Sequence, residues 1–238
     1  MMTNLEYVIS DTKTLAATAA LDLLQNNQVV GLGSGTTSKI FVDLLGERLR
    51  NGTLSNIVGV PTSEATRKQA SDLGIPLGDL ADFDKLDIAI DGADEVDTAL
   101  NLTKGWGGAL VREKLVEIYA ERFVIIVDES KIVDRLGTRG PIPVEVVQFG
   151  WEAQATWLRE TLQCVVQRRM NNDMPYITDN HNFILSCTFP EGIVDPYLVS
   201  NYLSNRPGLV GHGLFLDMAT DVLVGSDSGI QHLRRTAT

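Results

Sequence analysis

The chain has 238 residues, an apolar fraction of 44% and a formal net charge of −11. That composition supplies a full globular core, and the length suits one large domain or two modest ones. No apolar run reaches the roughly 18 residues that cross a bilayer, and the negative charge makes nucleic acid and anionic membrane poor partners.

In chain order, residues 11–26 carry Leu15, Ala19 and Leu23 at helical spacing. Val29–Leu32 reads as a strand, Thr36–Leu49 as a helix and Ile57–Val60 as a strand. Ser63–Leu73 reads as a helix, Leu86–Ile90 as a strand, Leu110–Ala120 as a helix and Phe123–Val127 as a strand. Strands alternating with helices predict a mostly parallel, Rossmann-like α/β sheet with helices on both faces. The cluster Gly137-Thr138-Arg139-Gly140-Pro141-Ile142-Pro143 marks a boundary. Beyond it the order is strand (Val144–Gln148), helix (Glu152–Leu162), strand (Cys164–Arg168), strand (Asn182–Phe189), helix (Pro196–Ser204) and strand (Val210–Leu216). That is the β-α-β-β-α-β order of a ferredoxin-like α+β domain, with Asp179-Asn180-His181 as a turn. The expected division is therefore an α/β domain from 1–136 and 211–238, with a small α+β domain at 137–210. Asp221–Val224 is a strand that returns to the first sheet, and 227–238 reads as turn and tail.

Two segments carry chemistry. Gly31-Leu32-Gly33-Ser34-Gly35-Thr36-Thr37-Ser38 joins the first strand to the second helix. Glycines let backbone N–H groups approach an anion, and the helix start adds free donors and a positive dipole end. The segment is neither a P-loop, which ends in Gly-Lys-Ser/Thr, nor a G-x-G-x-x-G dinucleotide loop, because Thr36 replaces the last glycine. Ser34, Gly35, Thr36 and Thr37 suit a terminal monophosphate, held against the overall field by N–H and O–H donors. The bland alternative is a glycine-rich turn that caps a helix.

The second segment is Asp91-Gly92-Ala93-Asp94-Glu95, followed by Lys104-Gly105-Trp106-Gly107-Gly108 and Glu113. Asp91 and Asp94 lie just past the carboxyl end of a buried strand, where open α/β sheets bind ligands. Both suit sugar hydroxyls, and both also suit capping or turns. Lys104 suits neutralising an oxyanion or orienting a carbonyl, and its bland alternative is a solvated surface lysine. Glu113 opens a helix, where a glutamate either stabilises the dipole by about 0.3–1 kcal/mol or serves as a general base. Lys131, after the Phe123–Val127 strand, suits a further phosphate or hydroxyl contact, and equally a plain surface lysine. The histidines (His181, His212, His232) have no metal-ligand spacing and Cys164 and Cys187 form no CxxC, so no metal is expected. Two cysteines and no recognisable leader predict a reduced, cytoplasmic protein. Aromatic residues at 6%, without basic interleaving, argue against a base-stacking surface.

Together Gly33-Ser34-Gly35-Thr36-Thr37, Val58-Gly59-Val60-Pro61-Thr62-Ser63, Asp91-Gly92-Ala93-Asp94-Glu95, Lys104-Gly105-Trp106-Gly107-Gly108-Ala109 and Arg112-Glu113-Lys114 resemble the type A ribose-5-phosphate isomerase family. Lys131 and Pro143-Val144-Glu145-Val146 extend the likeness over nearly the whole chain. The resemblance implies an aldose–ketose isomerase that interconverts ribose 5-phosphate and ribulose 5-phosphate through an enediolate, without metal or organic cofactor. It implies Glu113 as the proton acceptor, with Asp91, Asp94 and Lys104 also catalytic. It implies substrate contacts from Ser34, Gly35, Thr36, Thr37, Asp91, Gly92, Ala93, Asp94, Lys104, Gly105, Trp106, Gly107 and Lys131. It further implies a homodimer or homotetramer acting on a small sugar phosphate. Trp106 stands where many members of that family have glycine. A left-handed backbone would strain a tryptophan there, so either its backbone alone serves the site or its indole forms one wall. Two rivals weaken on the residues present. A deaminase of amino-sugar phosphates needs a histidine beside these motifs, and a sugar-phosphate-sensing repressor needs an attached DNA-binding segment, for which the stretch before Asp11 is short.

Overall fold

The computed structural model describes residues 4–235, and the last three residues of the expected tail lie outside them. The chain forms two compact units: Met1–Ala93 with Arg112–Ile132 and Met218–Thr238, and Asp94–Val111 with Val133–Asp217.

The first unit is built on a six-stranded sheet. Its strands run in the order Gly229–Arg234, Asp221–Ser226, Phe123–Asp128, Ile88–Asp91, Val29–Leu32, Val58–Pro61. All neighbours are parallel except the Gly229–Arg234 edge, which is antiparallel to Asp221–Ser226. Side chains alternate across a strand, so Val30 and Leu32, Ile88 and Ile90, and Val124 and Ile126 share one face. That face packs against Ala16, Ala17, Ala20 and Leu21 of the Asn4–Leu21 helix and Phe41, Val42 and Leu45 of the Thr36–Arg50 helix. Val116 of the Leu110–Ile118 helix packs with Val60 and Leu86 against the opposite face. Helices therefore cover both faces, as the near-continuous apolar strands require.

Two expectations are corrected here. The first helix runs Asn4–Leu21 rather than 11–26, and the expected tail forms a strand, Gly229–Arg234, through register pairs Asp221↔Arg234 to Ser226↔Gly229. An edge strand has only one neighbour and a largely solvated surface, so its polar composition is compatible with pairing.

The amino ends of two sheet strands are clamped around one carboxylate. Asp221 is 5% exposed and receives both Arg122 Nε (2.9 Å) and Nη2 (2.8 Å), Thr220 Oγ1 (2.7 Å) and His232 Nε2 (2.6 Å). Burial pushes its carboxyl up, but hydrogen bonds from Arg122, Thr220 and His232 outweigh this and hold it well below the usual carboxylate range. A depressed folded-state pKa contributes stability that is present above the unfolded value near 3.9 and lost as pH falls through the folded value. Asp221→Asn should thus lower Tm at pH 7 by roughly 3–10 °C. The gap to the unmodified protein should narrow below about pH 4. Thermal melts between pH 2 and 7 check this; a gap independent of pH would remove Asp221 as the acid-linked group.

The second unit carries a four-stranded antiparallel sheet in the order Leu209–His212, Ile142–Val146, Phe183–Thr188, Val165–Arg168. With the Trp151–Leu162 and Pro196–Ser204 helices, this is the ferredoxin-like arrangement read from the sequence. Its core gathers Ile142, Val144, Val146, Leu158, Leu185 and Leu203. A small antiparallel sheet adds Leu214–Phe215, Leu102–Thr103 and Glu95–Val96. This pairing draws Asp94–Val111 into the second unit, whereas the expected division placed it in the α/β part, and it moves the crossings to Ile132/Val133 and Asp217/Met218.

Candidate active site

In the first unit Asp91 closes the Ile88–Asp91 strand, and the predicted phosphate loop and Lys131 follow the carboxyl ends of its two parallel neighbours. The loop and Asp91 are bonded to each other. Asp91 is 1% exposed, and its Oδ1 accepts from Ser34 N (2.9 Å), Ser38 Oγ (2.7 Å) and Gly92 N (2.7 Å). Gly92 N also donates to Ser38 Oγ at 3.0 Å. Gly33 makes this possible: a Cβ there would fall 2.1 Å from the Asp91 carboxyl carbon. The carboxylate lies directly beneath the loop backbone, and only hydrogen fits between them.

The other side of the loop is tied by hydroxyls. Ser34 Oγ lies 2.8 Å from Thr62 Oγ1, 2.8 Å from Ser63 Oγ and 3.1 Å from Thr66 Oγ1. Thr66 Oγ1 also donates to Gly33 O at 3.0 Å. Ser63 is the N-cap of the Glu64–Asp72 helix. The Ser34 side chain thus anchors the loop, and Gly35, at φ +106 with open space beside it, begins the Thr36–Arg50 helix. The first turn of that helix presents free N–H donors, a positive dipole end and the Thr36 hydroxyl, which accepts from Lys13 Nζ at 3.1 Å. Thr37 is buried. Lys131 ends a 3₁₀ turn capped by Asp128, which accepts from Ser130 N.

Sequence reasoning placed Ser38 in the loop but not on Asp91, and it missed Lys13, Thr62, Ser63 and Thr66 as members of this assembly. Thr62 and Ser63 carried a signal, since they follow a strand as Ser34 does. Lys13 carried none, because helical spacing says nothing about which loop a polar residue meets.

Glu113 lies in the opening turn of the Leu110–Ile118 helix and is 3% exposed. Glu117, one turn on, is equally buried. Lys114 between them is half-buried; desolvation lowers its ammonium to about 8, with the Glu117 carboxylate opposing that shift. Arg112, one residue earlier, pairs with Glu64 at 2.6 Å.

In the second unit Asp94 Oδ2 accepts from Trp106 N at 2.9 Å, and Asp94 N donates to Thr103 O. Trp106 has no left-handed backbone, and its indole Nε1 donates to Pro141 O at 2.8 Å with the ring packed on Gly140. Its backbone N–H thus meets Asp94 while its indole is anchored at Pro141. Lys104 is 3% exposed; its N–H donates to Gly213 O, and its ammonium lies 5.6 Å from the Phe215 ring centroid. Glu95, fully buried, accepts from Thr103 Oγ1, Gly137 N and Arg139 N. It pins the glycine turn that the sequence marked as a boundary. Among the described residues, no three of His, Cys, Asp and Glu converge as metal ligands.

The family model for ribose 5-phosphate isomerase A (phosphoriboisomerase A) matches residues 58–229. The ribose-5-phosphate isomerase A of a Synechococcus strain is 46% identical over 228 residues, covering 95% of this chain and 98% of that protein. A solved D-ribose-5-phosphate isomerase in complex with phospho-erythronic acid superposes with a TM-score of 0.91 at 41% identity, covering 95% of this chain and 99% of that one. The ribose 5-phosphate isomerase of Plasmodium falciparum gives 0.92 at 37% identity, covering 96% and 99%. A family match across most of the chain, joined to relatives and structures that align almost end to end, places this protein in the ribose 5-phosphate isomerase A family.

Proposed function

We propose that this isomerase interconverts D-ribose 5-phosphate and D-ribulose 5-phosphate by proton transfer through an enediolate, with Glu113 as the base. The observation that carries the site assignment is the loop braced on both sides, by Asp91 and by the Ser34 hydroxyl cluster, so that its outer edge is left to hold an anion. The sugar phosphate docks on the Ser34–Thr37 loop, with Lys13 and Lys131 supplying positive charge against the net −11 of the chain. Glu113 removes the C2 proton of the open-chain sugar, and the electrons move onto the C1 oxygen as the enediolate forms. Lys104 and loop N–H groups stabilise the oxyanion. Glu113 then returns the proton to C1 while the C2 hydroxyl proton passes to the C1 oxygen, which gives the ketose. Asp91 and Asp94 hold sugar hydroxyls or relay their protons.

Changing Thr36 to Ala should raise KM about 10-fold or more with kcat little altered, because a phosphate contact is made equally in ground and transition states. A coupled isomerase assay on purified protein measures this. An unchanged KM in both Thr36→Ala and Thr37→Ala would remove the loop as the phosphate site. The same reading takes the protein to be a cytoplasmic homodimer or homotetramer, on the strength of the family resemblance; light scattering reads the assembly.

A further inference from the structure

The Ile142–Val146 strand sends Ile142, Val144 and Val146 into the core of the second unit. Alternation turns Pro143 and Glu145 to the other face. There Pro143 lies under the glycine loop: a Cβ on Gly105 would meet its ring at 2.9 Å. Glu145, beside it, has no solvent exposure. A carboxylate removed from water is costly unless it is hydrogen-bonded. Its Oε1 accepts from Thr178 Oγ1 (3.0 Å), Asn180 Nδ2 (3.1 Å) and Asn182 Nδ2 (2.9 Å). The receiving turn is tight, with Thr178 N donating to Asn182 O and His181 N to Thr178 O.

Two residues before that turn, Tyr176 reaches the loop. Its hydroxyl donates to Gly107 O at 3.4 Å, and a Cβ on Gly108 would fall 2.2 Å from the same oxygen. Arg169 covers the Tyr176 ring at 4.5 Å, and Tyr176 N donates to Arg169 O at 3.0 Å. The loop is therefore held at Trp106 by Pro141 and at Gly107–Gly108 by Tyr176.

We infer that Glu145 is a positioning residue for the Lys104–Gly108 loop, acting through the Thr178–Asn182 turn and Tyr176. The role lies in accepting three hydrogen bonds at one oxygen; the carboxylate touches no substrate. The inference rests on the reading that this loop meets the sugar.

The test uses the full-length protein with Tyr176→Ala, Glu145→Ala, the double variant, and Glu145→Gln as the conservative control. Tyr176→Ala and Glu145→Ala should each speed hydrogen exchange at the amides of residues 105–108 and lower kcat about 10-fold, since small misplacements at a reacting centre are costly. Glu145→Gln keeps an acceptor at Oε1 and should restore both readouts. The double variant should lose no more than Tyr176→Ala alone, because both act along one path. Unchanged exchange at 105–108 in Tyr176→Ala overturns the inference, as does multiplication of the two losses. Should Glu145→Ala fail to fold, Tyr176→Ala and Glu145→Gln still decide it. Full activity in a Lys104→Met variant would sink the reading of the loop instead, and the exchange measurement would remain valid.

Discussion

Glu113→Gln should lower kcat by at least about 10²-fold, the usual scale of general acid–base catalysis. Glutamine keeps the length and nearly the shape of a side chain that is only 3% exposed, so the fold stays intact. What it removes is the basic oxygen. The competing role, dipole stabilisation in a first helical turn, is worth about 0.3–1 kcal/mol. Its loss shows as a Tm change of a few degrees and no catalytic effect. The two roles are therefore separable in one variant. If Glu113 is the base, kcat and kcat/KM fall together, since the interaction is made in the transition state. In heavy water the unmodified enzyme should place deuterium at the reacting carbon of the product, by exchange of the carried proton with solvent. A Gln variant that retains near-normal kcat would return Glu113 to a purely structural role.

Lys104→Met should cost about 10²–10³ in kcat, the loss typical of removing one donor from an oxyanion site. Methionine keeps an unbranched apolar stem at this buried position and leaves the backbone bond to Gly213 untouched. The change therefore isolates the ammonium. Lys104→Arg should fail to restore activity, because a planar guanidinium is larger and the position is 3% exposed. Steady-state kinetics checks both variants. A rise in KM alone, with kcat preserved, would make Lys104 a binding residue and place oxyanion stabilisation on the loop amides.

Much of the architecture was legible because apolar period and length separate strands such as Phe123–Asp128 from helices such as Thr36–Arg50. Glu95–Val96, Leu102–Thr103 and Leu214–Phe215 were not, since two residues carry no period. Their pairing across more than a hundred positions assigns Asp94–Val111 to its unit. Gly229–Arg234 escaped notice because a solvated edge strand lacks an apolar run. The site divides in the same way. Glycines, aspartates and the loop hydroxyls stood out as local clusters. Ser38 and Asp91, 53 positions apart, are joined only by the parallel register of the strands that carry them. The hydroxyl cluster around Ser34 depends on the same register, through the Val29–Leu32 and Val58–Pro61 pair. Two acidic motif residues were visible while their use was not: one oxygen of Asp91 and one of Asp94 serve the scaffold.

The Phe123–Asp128 strand is completely buried, and one of its two neighbours, Asp221–Ser226, arrives almost a hundred residues later. During synthesis its flank is therefore a bare row of backbone donors and acceptors on an apolar β segment, the pattern that invites pairing between chains. Only when Asp221–Ser226 has emerged from the ribosome is that flank sealed, so nascent chains and products truncated before Asp221 are the forms most in need of chaperone protection.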